Sequence, residues 1–147
     1  IEVNKQQINV MIDKIKNSID TFKGKIIGVL GLSFKPNTDD IRESPALEII
    51  KILEKKGSKL RVYDPVALEN AKKLLGSKRI TYCKDSYEVA NGAHALVVAT
   101  EWNQFRMLDM KKIKQLLKEP VLIDLRNVYD PECVKKLGFL YTSVGRI

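Results

Sequence analysis

Short apolar runs alternate along this chain with longer amphipathic segments, and this alternation constrains the fold more than any other feature. The runs are 25–31, 60–63, 80–83, 95–99, 121–125 and 139–142. Short apolar runs bounded by turn residues are typical of strands buried on both faces of a sheet. Strands that alternate with helices predict βαβ units. We therefore predict an α/β fold of three α/β/α layers, around a doubly wound, mainly parallel sheet of five to six strands.

Helices are predicted between these strands and before the first of them. Ile8, Met11, Ile12, Ile15 and Ile19 recur at helical spacing, which predicts an N-terminal helix over the first ~20 residues. The other predicted helices run from Ser44-Pro45 to Gly57, from Val66 to Gly76, over a short segment capped near Asp85, from Asp109 to Lys118, and from Asp130-Pro131 to Gly138. Ser and Asp suit the N-cap position, and Gly suits the residue after a helix.

Charge and hydropathy restrict the partners of the chain. Lys and Arg total 26 against 18 acidic residues, a net charge of +8. The basic residues are spread over helical stretches, which favours solvated faces over a nucleic-acid footprint. No apolar run approaches the ~20 residues that cross a bilayer, and no signal sequence opens the chain, so we expect no membrane partner and a cytoplasmic location. Because the chain begins with Ile1 rather than Met, we expect it to be a piece of a longer protein.

Few residues are suited to metal binding. Cys83 and Cys133 form no C-x-x-C pair, and His94 is the one histidine. This set predicts no zinc site. We interpret both cysteines as reduced core thiols and His94 as structural.

The connection after the first strand, residues 32–45, is roughly twice the usual length, and long loops in compact domains tend to be functional. It contains two candidate phosphate-binding cations, Lys35 and Arg42; the alternative for both is an ion pair within the loop. A dinucleotide fingerprint started at Gly28 has Leu30 and Ser33 where glycines are needed, so this Rossmann-like sheet lacks a classical NAD site of its own. Asp64, after the second strand, is interpreted as a helix cap rather than a ribose ligand.

Ligands of doubly wound sheets bind beyond the carboxyl ends of the strands, where the strand order reverses. If the first, fourth and fifth strands are neighbours, one rim gathers Phe34, Lys35, Thr100, Trp102 and Arg126. Aromatic surface beside fixed cations suits a nucleotide with a pyrophosphate. Two alternatives stay open, a hydrophobic lid formed by Trp102 and Phe105, and an ion pair of Arg126 with Asp124 or Asp130.

These residues resemble a known family. The stretch from Gly31 to Ala46, GLSFKPNTDDIRESPA, resembles the signature that opens the C-terminal domain of UDP-glucose/GDP-mannose dehydrogenases. Further matching blocks occur in family order at 62–65, 100–105, 124–127 and 141–146, so the resemblance covers essentially the whole sequence. The block Thr100-Glu101-Trp102-Asn103 is most similar to the UDP-glucose 6-dehydrogenase branch.

The resemblance implies a two-step oxidation of a sugar C6 hydroxyl to a carboxylate, with two NAD molecules and a catalytic cysteine. The family's glycine-rich NAD domain and its G-x-C-x-P-K-D segment are not found in these 147 residues. The resemblance therefore predicts no catalytic residue in this chain and no turnover by this chain alone.

The resemblance also assigns roles by position. Phe34, Lys35 and Arg126 would contact the UDP-sugar, and Arg42 would reach NAD held mainly by the preceding domain. Residues 1–22 would be the end of a central linker and dimerisation helix, with Val3-Asn4 as its recognisable piece, and residues 23–147 the UDP-sugar-binding domain. A homodimer is expected for the full protein. The helix would leave its apolar stripe partly bare here, which predicts self-association.

Two kinds of alternative remain at this point. One is a non-catalytic nucleotide-binding or regulatory module that uses the same rim, and another is a dehydrogenase of UDP-N-acetylmannosamine or GDP-mannose. A nucleic-acid binder rests on the net charge alone.

Overall fold

Six short parallel strands form the centre of the molecule, described here from a computed structural model over residues 5–76 and 78–144. The strands are β1 (Ile26–Leu30), β2 (Lys59–Tyr63), β3 (Ile80–Tyr82), β4 (Ala95–Val98), β5 (Val121–Asp124) and β6 (Leu140–Ser143). They pair in the order β3-β2-β1-β4-β5-β6, and every pair is parallel. The predicted sheet is confirmed, and the strand order reverses between β1 and β4.

Helices cover both faces of this sheet and complete the predicted three layers. Within the described residues they are α1 (Lys5–Ile19), α2 (Pro45–Lys55), α3 (Leu68–Leu75), α4 (Ser86–Ala90), α5 (Asn103–Arg106), α6 (Met110–Leu116) and α7 (Pro131–Lys136). The first three share one hydrophobic cluster with the sheet, and the other four share a second. None of these helices has the length and apolar character needed to span a membrane.

Helix starts mostly follow the predicted capping chemistry. Asp85, Asp109 and Asp130 each accept a hydrogen bond from a backbone N–H in the first turn that follows. Ser44 occupies the N-cap position of α2 but does not cap it, because its hydroxyl donates instead to the Leu32 carbonyl at 2.8 Å. The serine thus links the two ends of the long loop after β1. The four-residue helix α5 was not predicted.

Helix α1 is part of the core, and the prediction of a partly bare apolar stripe is wrong for its four isoleucines, while Met11 is half-buried. Ile8, Ile12, Ile15 and Ile19 are each at most 6% exposed. The helix packs against α2, β5 and β6. Helices α2 and α3 connect β1 to β2 and β2 to β3, so they cover only the half of this sheet face formed by β1 to β3. Helix α1 covers the other half. Val3-Asn4 lies outside the described residues.

The two cysteines differ from the prediction that both are core thiols. Cys83 is buried, and burial raises the pKa of its thiol to about 11. Cys133 is exposed on α7, so the prediction is wrong for this residue. His94 is structural as predicted, since its Nδ1 accepts a hydrogen bond from the Ile26 N–H at 3.0 Å.

Candidate nucleotide-binding site

The loops that follow β1 and β4 meet at the point where the strand order reverses. Gly31 has a φ of +98°, and a Cβ at this position would lie 2.4 Å from Thr100 Oγ1. The Thr100 hydroxyl donates to the Ser33 carbonyl at 2.9 Å. A side chain at position 31 would therefore separate the two loops, and glycine is needed both for the backbone conformation and for this close approach.

Asp64 is the central hydrogen-bond acceptor beneath the loop after β1. Its oxygens accept from the backbone N–H groups of Leu32, Ser33, Val66 and Ala67, the Ser33 hydroxyl and the Trp102 indole. The residue is 2% exposed. Because its lone pairs are occupied, Asp64 does not offer a ribose ligand. Its bonds to Val66 and Ala67 hold the turn before α3, whose N-cap is Ala67 and has no side-chain cap, so Asp64 is structural but is not the predicted helix cap.

Trp102 belongs to the interior rather than to the rim. Trp102 is 9% exposed and Phe105 is fully buried. The Trp102 indole N–H donates to Asp64 Oδ2 at 3.3 Å across the space between the ends of β4 and β2. The expected aromatic rim is wrong for Trp102, and the alternative of a hydrophobic lid is confirmed. These side chains fill the crevice where a doubly wound sheet usually holds a dinucleotide, so the residues present do not fit NAD there.

A second buried carboxylate, Asp124, shapes the loop after β5. It accepts hydrogen bonds from the backbone N–H groups of Arg126, Val128 and Tyr129 and from the Tyr141 hydroxyl. Asp124 is fully buried. This network holds the backbone of the loop, while the Arg126 side chain points to other partners.

Arg126 connects all three loops that follow β1, β4 and β5. Its Nη1 donates to the Phe34 carbonyl at 3.2 Å, and its Nη2 forms an ion pair with Glu101. The expected proximity of Arg126 to Phe34 is confirmed. The alternative ion pairs with Asp124 or Asp130 are wrong, because the partner is Glu101. Sequence reasoning missed Glu101, although it follows β4, which lies between β1 and β5 in the expected strand order.

Phe34 and Arg126 line a cavity of about 510 Å³ between α1 and the ends of β1 and β5, which we call the Arg126 cavity. Its lining consists of Gln6, Gln7, Val10, Met11, Phe34, Pro45, Leu125, Arg126 and Val144. The contribution of α1 was not predicted. Among the described lining residues, all but Arg126 and the two glutamines are apolar or aromatic, as is usual for small-molecule sites.

Lys35 lies apart from this cavity. Its side chain is exposed and does not contribute to the lining. Within residues 5–76 and 78–144, no carboxylate lies within 4.0 Å of its ammonium group, so the alternative of a loop ion pair is not observed for Lys35. The structure brings together Phe34 and Arg126 but leaves Lys35 as a solvated cation on the same loop.

Arg42 lies on the other side of Pro45, in a groove of about 810 Å³ that we call the Arg42 groove. Its side chain is 88% exposed and binds Asp40 through two hydrogen bonds of 3.0 and 2.9 Å. These bonds lower the pKa of the Asp40 carboxyl from 3.8 to about 2. The alternative of an ion pair within the loop is therefore confirmed for Arg42. Pro45 borders both the groove and the Arg126 cavity.

The chemistry of the Arg126 cavity is that of binding. The described part of its lining presents one fixed cation, two amides and an aromatic ring, and no acid, thiol or imidazole. Among the described residues, no group of three or more His, Cys, Asp or Glu side chains is placed to hold a metal ion. This set is suited to an anion that also has a flat or apolar part.

The chain matches the model of the UDP-glucose/GDP-mannose dehydrogenase family, UDP binding domain, over residues 28–131. UDP-glucose 6-dehydrogenases from Rickettsia conorii and Rickettsia felis are 44% and 47% identical to it over 146 residues. These alignments cover 99% of this chain but 34% and 33% of the relatives, so the chain spans about a third of their length.

Solved structures share the fold. A UDP-glucose dehydrogenase from Pyrobaculum islandicum superposes with a TM-score of 0.77 at 29% identity, covering 95% of this chain and 29% of that one. A UDP-D-ManNAc dehydrogenase from Pyrococcus horikoshii superposes with a TM-score of 0.78 at 28% identity, covering 97% of this chain and 32% of that one.

Proposed function

Since the chain belongs to the UDP-glucose/GDP-mannose dehydrogenase family, we propose that it binds the nucleotide end of a UDP-sugar in the Arg126 cavity. One observation carries the proposal: Arg126 is fixed by Glu101 and the Phe34 carbonyl at the wall of a mainly apolar and aromatic cavity. A guanidinium that is partly shielded from water binds a pyrophosphate more strongly than a fully solvated one does.

The other residues of the cavity suit the rest of a nucleotide. The Phe34 ring offers a flat apolar surface to a base or sugar, and Gln6 and Gln7 offer amide donors and acceptors. Lys35 is exposed on the same loop as Phe34, and its long side chain supplies a second charge to an anion at the mouth of the cavity.

The longer protein, in this proposal, is an NAD-dependent UDP-glucose 6-dehydrogenase that converts UDP-glucose, two NAD and water to UDP-glucuronate and two NADH. The NAD is held by a preceding domain, and Arg42 approaches it from its exposed position. Residues 1–22 end the linker and dimerisation helix, and residues 23–147 form the UDP-sugar domain of a homodimer. This chain alone does not turn over. The cytoplasmic location stays a prediction.

A dehydrogenase of another nucleotide-sugar is the second candidate. It is favoured by the superposition on the UDP-D-ManNAc dehydrogenase, whose TM-score of 0.78 is close to the 0.77 for the UDP-glucose dehydrogenase. NADH formation by the longer protein with UDP-glucose, UDP-N-acetylmannosamine and GDP-mannose separates the two. Absence of NADH with every one of these sugars leaves a non-catalytic nucleotide-binding module.

Calorimetric titration of the chain tests the binding step. We expect UDP and UDP-glucose to bind weakly, and Arg126→Ala to weaken both by about tenfold or more, since a charge-assisted contact is lost. Arg79→Ala is the matched control, because Arg79 is an exposed arginine at the amino end of β3, away from the cavity. No UDP binding, together with salt-sensitive binding of short DNA, would instead support the nucleic-acid alternative.

A further inference from the structure

Glu101 fixes the orientation of the Arg126 guanidinium. Its carboxylate accepts from Nη2, while the Phe34 carbonyl accepts from Nη1 at 3.2 Å. The Glu101 and Arg126 side chains are 34% and 30% exposed, so water only partly screens the pair. A planar guanidinium held at both terminal nitrogens cannot turn without losing one of its partners.

The two hydrogen bonds leave donors for a ligand. A guanidinium has five N–H groups, and the Glu101 and Phe34 contacts use one on each terminal nitrogen. Among the residues that the structure describes, the other three N–H groups of Arg126 have no acceptor. Because Arg126 lines the cavity, these donors are the ones a bound diphosphate would meet.

We infer that Glu101 is a positioning residue for nucleotide binding: it holds Arg126 in the orientation in which the remaining N–H groups meet a diphosphate. The inference rests on the proposed function. A carboxylate near an anionic ligand repels it, so attraction to the ligand does not account for a glutamate at this position. The orientation that Glu101 gives to the Arg126 guanidinium does account for a glutamate at this position.

Calorimetric titration of the chain with UDP, on five variants that include Arg126→Ala and on one control, tests the inference. We expect Glu101→Ala to weaken UDP binding roughly threefold to tenfold, since residues coupled in one network show effects of this size. Glu101→Gln should restore most of the affinity, because its amide oxygen still accepts from Arg126. Glu101→Asp keeps the charge but withdraws the oxygens, so it should bind as weakly as Glu101→Ala.

The double variant Glu101→Ala/Arg126→Ala makes the test specific. If Glu101 acts through Arg126, its removal causes no further loss of UDP affinity once Arg126 is alanine. Glu119→Ala is the matched control, because Glu119 pairs with Lys25 at 3.7 Å near the amino ends of the strands, away from the cavity. Its UDP affinity should equal that of the unmodified chain.

Two outcomes would overturn the inference alone. One is an equal loss of UDP affinity on Glu101→Ala with and without Arg126. The other is UDP affinity unchanged by Glu101→Ala and Glu101→Asp while Arg126→Ala weakens it, which would make Glu101 a brace of the fold only. Failure of the unmodified chain to bind UDP, or undiminished binding by Arg126→Ala, would instead overturn the proposed function and this inference with it. The unfolding midpoint of each variant identifies any loss that comes from unfolding.

Discussion

Arg126 and Arg42 lie on opposite sides of Pro45, and their surroundings differ. Arg126 is held in one orientation by neighbouring loops, whereas Arg42 is solvated. Arg126 is 30% exposed and contacts groups from the loops after β1 and β4. Arg42 is 88% exposed, and its hydrogen bonds go to Asp40 in its own loop. An exposed ion pair such as Arg42–Asp40 contributes little to stability. A partly buried pair between two loops, such as Arg126–Glu101, keeps its side chains in a fixed geometry. The tertiary setting, rather than the residue type, thus distinguishes the Arg126 cavity from the Arg42 groove.

The largest expected effect on the free energy of unfolding comes from Asp64, whose carboxylate lies beneath the loop that bears both Phe34 and Arg42. Asp64→Ala leaves several buried N–H groups without an acceptor, so we expect unfolding by urea to show a loss of roughly 3 kcal/mol or more. Asp130→Ala is the control, because Asp130 is an exposed N-cap whose removal should cost about 1 kcal/mol. Equal losses of unfolding free energy for the two variants would show that Asp64 contributes no more than a helix N-cap does.

The close approach of the two loops provides the next test. Gly31→Ala places a Cβ 2.4 Å from Thr100 Oγ1 at a φ of +98°, and we expect a loss of about 2–3 kcal/mol in the free energy of unfolding. Gly92→Ala is the control, since Gly92 also has a positive φ of +80° but no atom lies within 4 Å of its added Cβ. A loss no larger than that of Gly92→Ala would mean that the Thr100 contact imposes no constraint.

Ligand affinity compares the two arginines directly. We expect Arg126→Ala to weaken UDP binding by about tenfold or more. Arg42→Ala should change UDP affinity less than about twofold, because its side chain lies in the Arg42 groove, outside the cavity lining. Calorimetric titration of both variants at one salt concentration measures the difference. A larger loss of UDP affinity for Arg42→Ala than for Arg126→Ala would place the UDP site in the Arg42 groove instead of the Arg126 cavity.

The smallest effect concerns the acid titration of the exposed pair. The pKa of Asp40 is lowered to about 2 by Arg42, so the stabilisation from this pair is present above pH 3.8 and is lost as the pH falls through about 2. We expect Arg42→Ala to return the pKa of Asp40 toward 3.8, as followed by the carboxyl carbon shift in NMR. An Asp40 pKa that stays near 2 would show that Arg42 is not its cause.

The sheet was predictable because its signals are local. Apolar runs such as 95–99 and 121–125 need no distant partner to be recognised as buried strands, and all six predicted strands are present. The site was only partly predictable. Strand order placed Phe34 and Arg126 together, but the Glu101 ion pair, the Gln6 and Gln7 wall and the inward direction of Trp102 depend on side-chain contacts between distant elements.

Helix α1 shows the same limit. Its isoleucine spacing predicted an amphipathic helix, and the helix is present. The pattern did not say what covers the stripe, because periodicity identifies an apolar face but not its partner. The structure shows that α1 covers the half of the sheet that α2 and α3 do not reach.

The amino-acid sequence was sufficient to predict the parallel sheet, the helices other than α5, and the loops that follow β1 and β5, because hydrophobic periodicity and turn residues act over a few neighbouring positions. The tertiary structure alone decided which charged side chains face each other and which crevice is filled. Those outcomes depend on packing between residues far apart in the chain, as for Arg126 with Glu101 and Asp64 with Trp102. Such contacts arise only when the strands have taken their places in the sheet.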